Sequence, residues 1–591
     1  MDVNSYGEGV ARFTRETYKK FSDIRGKTKD EIKFRFWDVV VLTASDSDQK
    51  LAYELQIAGK VHRREIPQGV DYLVFADPPG PKIGCGGATM RAVSQLTDIY
   101  AERLDSLYIL LINAGGQSQR LASASALGKI FTALPMGCPP WQVLELKLAA
   151  YLPLLARMSP GYLHVASDTI EVFDLGDDGE FADWNFSRPG LTALAHPSSL
   201  SIGSTHGVFV FRDKVNQSKV TQFQTCVEVL QKPTVDTMRN KGAIFTEINS
   251  FEEIVYTDSL YYFDHSFARC LLDFYQSEAP LKCEIDGYGD YMQPLGENAT
   301  PDFASDTRNV SSVNEYLVPT RLKLYHHLKG SQFNVVVMNA SQFFHLGTMR
   351  EYMHNFCDDE NLMKYTGFQP QTFCDLDSDN FVSRGCTIHS VFKAGATIGR
   401  STVVEYCRFD CPAVIGDNCI ISHCSCTSAS SSVTISSNLF LHTVPVKQLN
   451  TPNTPKYVTL AFHIDDNVKA KAARVPADTG TALQLKFLGK PLSEAVVGSV
   501  PETRLFATDS FGEVNCSLWY ARLFAPKSSM DAALAATLSL VNGEKIDFGL
   551  EESSEFLSAS EAMQKKDIHS MLDNVQQLYT AIRSDDIKIL P

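Results

Sequence analysis

Along residues 1–360, short apolar runs alternate with stretches whose apolar positions recur every three or four residues. The runs Trp37–Thr43, Tyr72–Ala76, Leu107–Ile112, Tyr162–Ala166, Ile254–Phe263 and Phe333–Met338 read as strands, most of them apolar runs of the length expected for buried ones. Between them, residues 12–34, Gln49–Ala58, a stretch opening near Ala88, and Leu317–Leu328 carry helical spacing. Leu144, Leu148, Tyr151 and Leu155 line another helix after Pro139 and Pro140, and Phe267, Leu271 and Phe274 a further one. Strands that alternate with helices predict an α/β domain with a mostly parallel sheet.

The pattern changes after about residue 360. GATIGRSTVVEYC, PAVIGDNCIISHC and SSVTISSNLFL place an aliphatic residue before a small one at Ile398, Ile415 and Val433. Three faces of roughly six residues per turn predict a short left-handed parallel β-helix. The expected division is therefore 1–360, 361–450, and a mixed α/β region from 451 to 591. Asp531–Leu540 reads as a helix in that last region, and 551–584 as charged surface helices. His389 and His423 are solvent-facing or stacked structurally.

Composition narrows the classes. The chain has 591 residues, 44% hydrophobic and 21% charged, with a formal net charge of −15. That balance argues against a nucleic-acid substrate, whose backbone requires a basic face, but leaves room for small anions in local basic pockets. No window approaches the roughly 18 apolar residues of a membrane span, and the N-terminus lacks the apolar core of a signal peptide. The cytoplasm is therefore the expected compartment, and fourteen cysteines without a CxxC pair read as reduced, mostly buried thiols.

The candidate chemistry starts where Leu107–Ile112 breaks into INAGGQSQR, a loop of small residues holding Ala114, Gly115, Gly116, Gln117, Ser118 and Arg120, followed by Lys129. A strand opening into small residues lets backbone N–H groups face an anion while Arg and Lys supply countercharge; tight packing is the other reading. Neither GxxxxGK[ST] nor GxGxxG occurs here. A second glycine turn, at Gly84, Gly86 and Gly87, opens a helix and admits the same two readings. Asp168 follows the strand ending at Ala166, where open α/β sheets put their chemistry, although an Asp there also makes turns. Asp258 falls inside an apolar strand, so it requires a cation partner, a metal or a strand break. Glu284, Asp286 and Asp290 form a dense acidic cluster that suits either a metal or helix caps.

The loop with its Arg and Lys resembles the AGGxGxR signature of the sugar-nucleotide pyrophosphorylases, with Gln119 where that group has Thr or a small residue. FHLGT, with Gly347, Thr348 and Tyr352, resembles the element that closes their catalytic domain. The ordered set KIGCGGAT, INAGGQSQR, THGVF, QKP, YTDSLYYFD, FHLGT and CSLWYARLF resembles, over nearly the whole chain, the fucose-1-phosphate guanylyltransferase (GDP-L-fucose pyrophosphorylase) family. The resemblance implies a Rossmann-like nucleotidyltransferase domain. It also implies that GTP and β-L-fucose 1-phosphate give GDP-L-fucose and pyrophosphate in cytosolic fucose salvage. Carried over by motif, Gly84, Gly86, Gly87 and Ala114 to Ser118 bind the nucleotide. Arg120 stabilises the leaving pyrophosphate, Lys129 bridges to the α-phosphate, and Asp168 with Asp258 holds Mg²⁺. Lys232, His206 and Gly207 meet the sugar phosphate. A pyrophosphorylase for another sugar 1-phosphate and a non-catalytic regulatory subunit are the alternatives.

Overall fold

The computed structural model describes residues 3–176, 184–247, 252–308, 310–377, 379–448, 454–472, 484–498, 500–509, 512–548 and 556–586. The chain packs as two compact units, one of residues 1–116 and 144–344, the other of residues 117–143 and 345–591. The segment boundaries expected from sequence are near 360 and 450. The two compact units divide at 344/345, and the segment after Gly116 goes with the later residues.

The first unit is a mixed α/β structure. Its strands are β1 (Val39–Ala44), β2 (Asp71–Ala76), β3 (Tyr108–Asn113), β4 (Gly161–Ala166), β5 (Thr169–Phe173), β6 (Leu191–Ser199), β7 (Gly207–Phe211), β8 (Thr221–Gln224), β9 (Cys226–Gln231), β10 (Phe245–Thr246), β11 (Glu253–Phe263) and β12 (Phe333–Met338). The central sheet runs β2-β1-β3-β4-β11-β6-β12-β8. Neighbours from β2 to β4 are parallel, as are β6 and β12, whereas β11 opposes both β4 and β6. Every residue of β1 is buried, as a strand covered on both faces requires. β7 pairs with both β11 and β9, bringing the starts of β7 and the end of β9 beside the middle of β11.

The helices follow their apolar periodicity, with boundaries set by local chemistry. Helix α1 spans Val3–Ser22 rather than 12–34, because the chain turns at Gly26, whose φ is +71°. Helix α2 spans Ser47–His62, and its first turn is capped by Asp46, which accepts from Gln49 N–H. Helix α3 spans Gly84–Tyr100 and begins on the glycines themselves rather than after them.

In the second unit, short parallel strands repeat. Cys386–Ile388, Val403–Glu405 and Ile420–Ser422 stack in register, as do Val391–Phe392, Arg408–Phe409 and Ser425–Cys426. A third ladder joins Ala396–Ile398, Ala413–Ile415 and Val433–Ile435, so Ile415 lies opposite Ile435 rather than Val433. Hydrogen bonds such as Cys407 N–H to Ser390 Oγ and Ser422 Oγ to Glu405 connect residues 17 apart, one rung to the next. His389 and His423 are buried and sandwich Tyr406, with ring centroids 5.0 and 4.8 Å away, so neither faces solvent.

Residues 551–555 lie outside the described residues. The helix Ile568–Asp586 buries Ile568, Met571, Leu578 and Ile582, so it is docked rather than merely superficial. No described helix is long and apolar enough to cross a membrane. All fourteen cysteines are free.

Candidate functional site

The glycine loop leaves β3 at Asn113 and is pinned at once by three side chains of β1 and α2. Thr43 Oγ1 accepts from the N–H groups of Ala114 and Gly115 at 3.2 and 3.4 Å, while Tyr53 OH donates to Ala114 O at 2.6 Å. Gln49 takes both ends of the Gly116 residue: Oε1 accepts from its N–H at 3.3 Å and Nε2 donates to its carbonyl at 3.1 Å. A side chain on Gly115 would stand 3.2 Å from the Ala44–Ser45 backbone, and Gly116 adopts φ +120°, so both positions call for glycine on packing and backbone grounds. The N–H groups of Gly115 and Gly116 are thus engaged by Thr43 and Gln49. Thr43, Gln49 and Tyr53 were not singled out in the sequence. The available signal was a polar residue at the carboxyl end of an apolar strand, followed by helix positions four apart.

The second glycine turn is dominated by packing. Added Cβ atoms at Gly84, Gly86 and Gly87 would collide with Ile285, with Gly287 N, or with Ile83 and Leu281. The Gly86 N–H already donates to Ile285 O at 2.8 Å, so that amide has no bond to offer a nucleotide. Tyr291 OH donates to Gly86 O at 2.7 Å, and Cys85 Sγ contacts Asp286 Oδ1 at 3.4 Å.

Four residues predicted from separate motifs come together where β7, β9 and β11 meet. Gly207 N–H donates to Asp258 Oδ1 at 2.9 Å, and Lys232 N–H donates to His206 O at 3.0 Å. Lys232 has φ +47°, uncommon for a residue with a side chain. The pairing of β11 with β6 shifts register between Asp258 and Tyr261, so the carboxylate sits at the irregularity its burial demanded. Burial pushes the Asp258 carboxyl up to about 7; the Gly207 N–H opposes that, Asp286 adds to it and Lys232 counters it. Asp258 Oδ2 and Gln231 Oε1 are both buried without a hydrogen-bond partner, and both lie against Gly207. Gln231 carries no sequence signal beyond its place before Lys232.

Asp168 follows β4 at the turn into β5, beside the residues that follow β3. Asp168 and Asp258 both act electrostatically on Tyr288, whose OH donates to Ser259 O at 3.0 Å. Among the described residues no group of three or more His, Cys, Asp or Glu side chains could by itself hold a metal ion. A hard cation that keeps water and takes phosphate oxygens requires fewer protein ligands, and an unsatisfied buried carboxylate oxygen on Asp258 fits such an ion. The other acidic residues have structural partners. Asp290 pairs with buried Arg321 at 3.0 Å, and Glu284 accepts from Ser311 N–H at 2.9 Å.

Within the second unit, Arg120 is exposed, and its carbonyl accepts from Met349 N–H at 3.1 Å. Glu351 lies near it and accepts from His345 Nδ1 at 3.0 Å and Thr348 Oγ1 at 2.8 Å. Burial works against ionisation of Glu351, yet those bonds and the Arg120 charge hold its carboxyl below the ordinary range. Gln117 is exposed, Ser118 is buried, and half-buried Lys129 opens a 3₁₀ turn, Lys129–Phe131.

These features define an α/β protein whose glycine loop and Asp168 follow the carboxyl ends of the neighbouring parallel strands β3 and β4, where folds of this class bind ligands, with Asp258 inside the antiparallel strand β11. The sequence profile of the fucose pyrophosphorylase domain matches residues 101–529, and the chain belongs to that family. It is 40% identical over 590 residues to a fucose-1-phosphate guanylyltransferase of Mus musculus, covering 96% of each chain. The corresponding Homo sapiens enzyme is 38% identical, with 96% of this chain and 94% of the relative aligned. A bifunctional fucokinase/GDP-fucose pyrophosphorylase of Arabidopsis thaliana is 24% identical across 38% of this chain and 24% of its own length.

Proposed function

We propose that this chain is a nucleotidyltransferase that transfers GMP from GTP to β-L-fucose 1-phosphate, giving GDP-L-fucose and pyrophosphate in fucose salvage. The observation that carries this reading is similarity to two fucose-1-phosphate guanylyltransferases across 96% of the chain.

The chemistry asks little covalent work of the protein. A phosphate oxygen of the sugar, ionised at neutral pH, forms a bond to the α-phosphorus of GTP as the bond to the β-phosphate breaks, and pyrophosphate departs in line. Fixed dipoles and cations lower the repulsion between the two anions. In this reading Gly115, Gly116, Gln117 and Ser118 shape the nucleotide loop. Arg120 neutralises the departing pyrophosphate, and Lys129 the α-phosphate. Lys232, with His206 and Gly207, receives the sugar phosphate. Asp168 and Asp258 would hold Mg²⁺, which when bound supplies positive charge to the phosphate oxygens.

The finer architecture belongs to the same reading: a Rossmann-like nucleotidyltransferase core, and ladders of short parallel strands forming a left-handed β-helix. A cytosolic setting agrees with fourteen free cysteines. The test is pyrophosphate release by the purified protein across a panel of nucleoside triphosphates and sugar 1-phosphates. GTP with L-fucose 1-phosphate is the expected best pair, and equal turnover of mannose 1-phosphate would overturn the fucose assignment.

A further inference from the structure

The side chain that organises the glycine loop is one that no motif marks. Gln49 is 6% exposed and sits in the first turn of α2, where its own N–H is capped by Asp46 at 2.7 Å. Its Oε1 accepts from Ser45 N–H at 2.7 Å and from Gly116 N–H at 3.3 Å, while its Nε2 donates to Gly116 O at 3.1 Å. Two N–H donors on one atom and a carbonyl on the other fix which end of the carboxamide is which. Gly116 itself, at φ +120° with nothing within 4 Å of a would-be Cβ, has no side-chain packing to hold its backbone. A residue this free to rotate stays ordered only if something outside it binds its peptide groups.

We infer that Gln49 is a positioning residue for GTP, setting through the Gly116 peptide groups the course of the glycine loop after β3. The inference rests on the reaction proposed above. Gln49 touches no reacting atom in this account. It removes conformations of that loop whose backbone faces the wrong way for a phosphate, so its effect falls on the nucleotide and not on the sugar phosphate, which meets β7 and β9 instead.

The experiment compares Gln49→Met, which keeps the side-chain shape and loses every bond, with Gln49→Glu, which still accepts but cannot donate to Gly116 O. Initial rates give KM for GTP and for L-fucose 1-phosphate separately, alongside thermal melting. The expected result is KM for GTP raised about tenfold or more in both variants, KM for the sugar phosphate within about twofold of wild type, and Tm nearly unchanged. Should Gln49→Met fail to fold, Gln49→Glu carries the same comparison. Unchanged KM for GTP, or both KM values rising together with a lowered Tm, overturns the inference while leaving the reaction intact. A wild-type protein that turns over no sugar 1-phosphate with GTP overturns the proposed reaction, and this inference with it.

Discussion

The Gly207 N–H donates to Asp258 Oδ1 at 2.9 Å, and the second oxygen of that carboxylate lies where a side chain at 207 would have to go. A strand residue with no Cβ thereby admits a carboxylate into the sheet interior. Gly207→Ala is expected to displace Asp258, to cost about 1–3 kcal/mol of stability, and to lower turnover more than tenfold. Urea unfolding and initial rates check it, and a fully active, equally stable variant would dissociate the two residues.

Asp258→Asn keeps the size of the side chain and removes its charge. Activity is expected to fall by orders of magnitude, with restoration only at far higher Mg²⁺ than wild type requires. Removal of divalent cations by a chelator should abolish wild-type turnover, and added Mg²⁺ should restore it. Turnover that persists in excess chelator would exclude the ion.

Lys129→Ala should reduce turnover by about 10²–10³, because one cation is withdrawn from the phosphates. Lys129 is only half-buried, so the melting temperature should shift little. Unaltered activity would remove this lysine from the mechanism.

Lys147 and Glu171 form a fully buried pair at 2.8 Å, joined by Tyr151 OH and by Thr169, the residue after Asp168. Lys147→Met leaves a carboxylate uncompensated and is expected to cost about 3–5 kcal/mol. Adding Glu171→Met should recover much of that loss. Chemical unfolding of both variants tests the sign of the recovery.

Burial holds His164 and His442 neutral, with pKa values lowered to about 3, and His196 lowered to about 4. The unfolded chain takes these protons below its ordinary histidine pKa and the folded chain does not, so stability is lost as pH falls from about 6.5. Each such histidine contributes about 2 kcal/mol of that loss at pH 5. His442→Phe should narrow the gap between melting temperatures at pH 7.5 and pH 5, and an unchanged gap would mean that His442 titrates freely.

How much of this was legible in the sequence depends on the kind of signal. Leu317–Leu328 and Phe333–Met338 stand where the pattern put them, because helical spacing marks the first, and a short run with three valines is too brief for a helix and marks the second as a strand. Asp258 was legible as a conflict, a charge inside an apolar strand, and the structure resolves it with a register shift and a glycine opposite. The helix at α3 was placed late because Gly84, Gly86 and Gly87 weaken helical propensity; contact with Ile285–Gly287, nearly two hundred residues away, overrides it. Thr43, Gln49 and Gln231 were passed over for the same reason. Their importance lies in which backbone groups they face, and nothing local encodes that.

The segment that carries Arg120 and Lys129 belongs with residues 345–591: Met349 N–H bonds Arg120 O, Gln369 N–H bonds Pro135 O, and Gln142 reaches the Tyr406 hydroxyl at 3.3 Å. A premature stop after residue 344 would therefore do more than trim a tail. It would leave the stretch that carries these two basic residues without the partners it folds against.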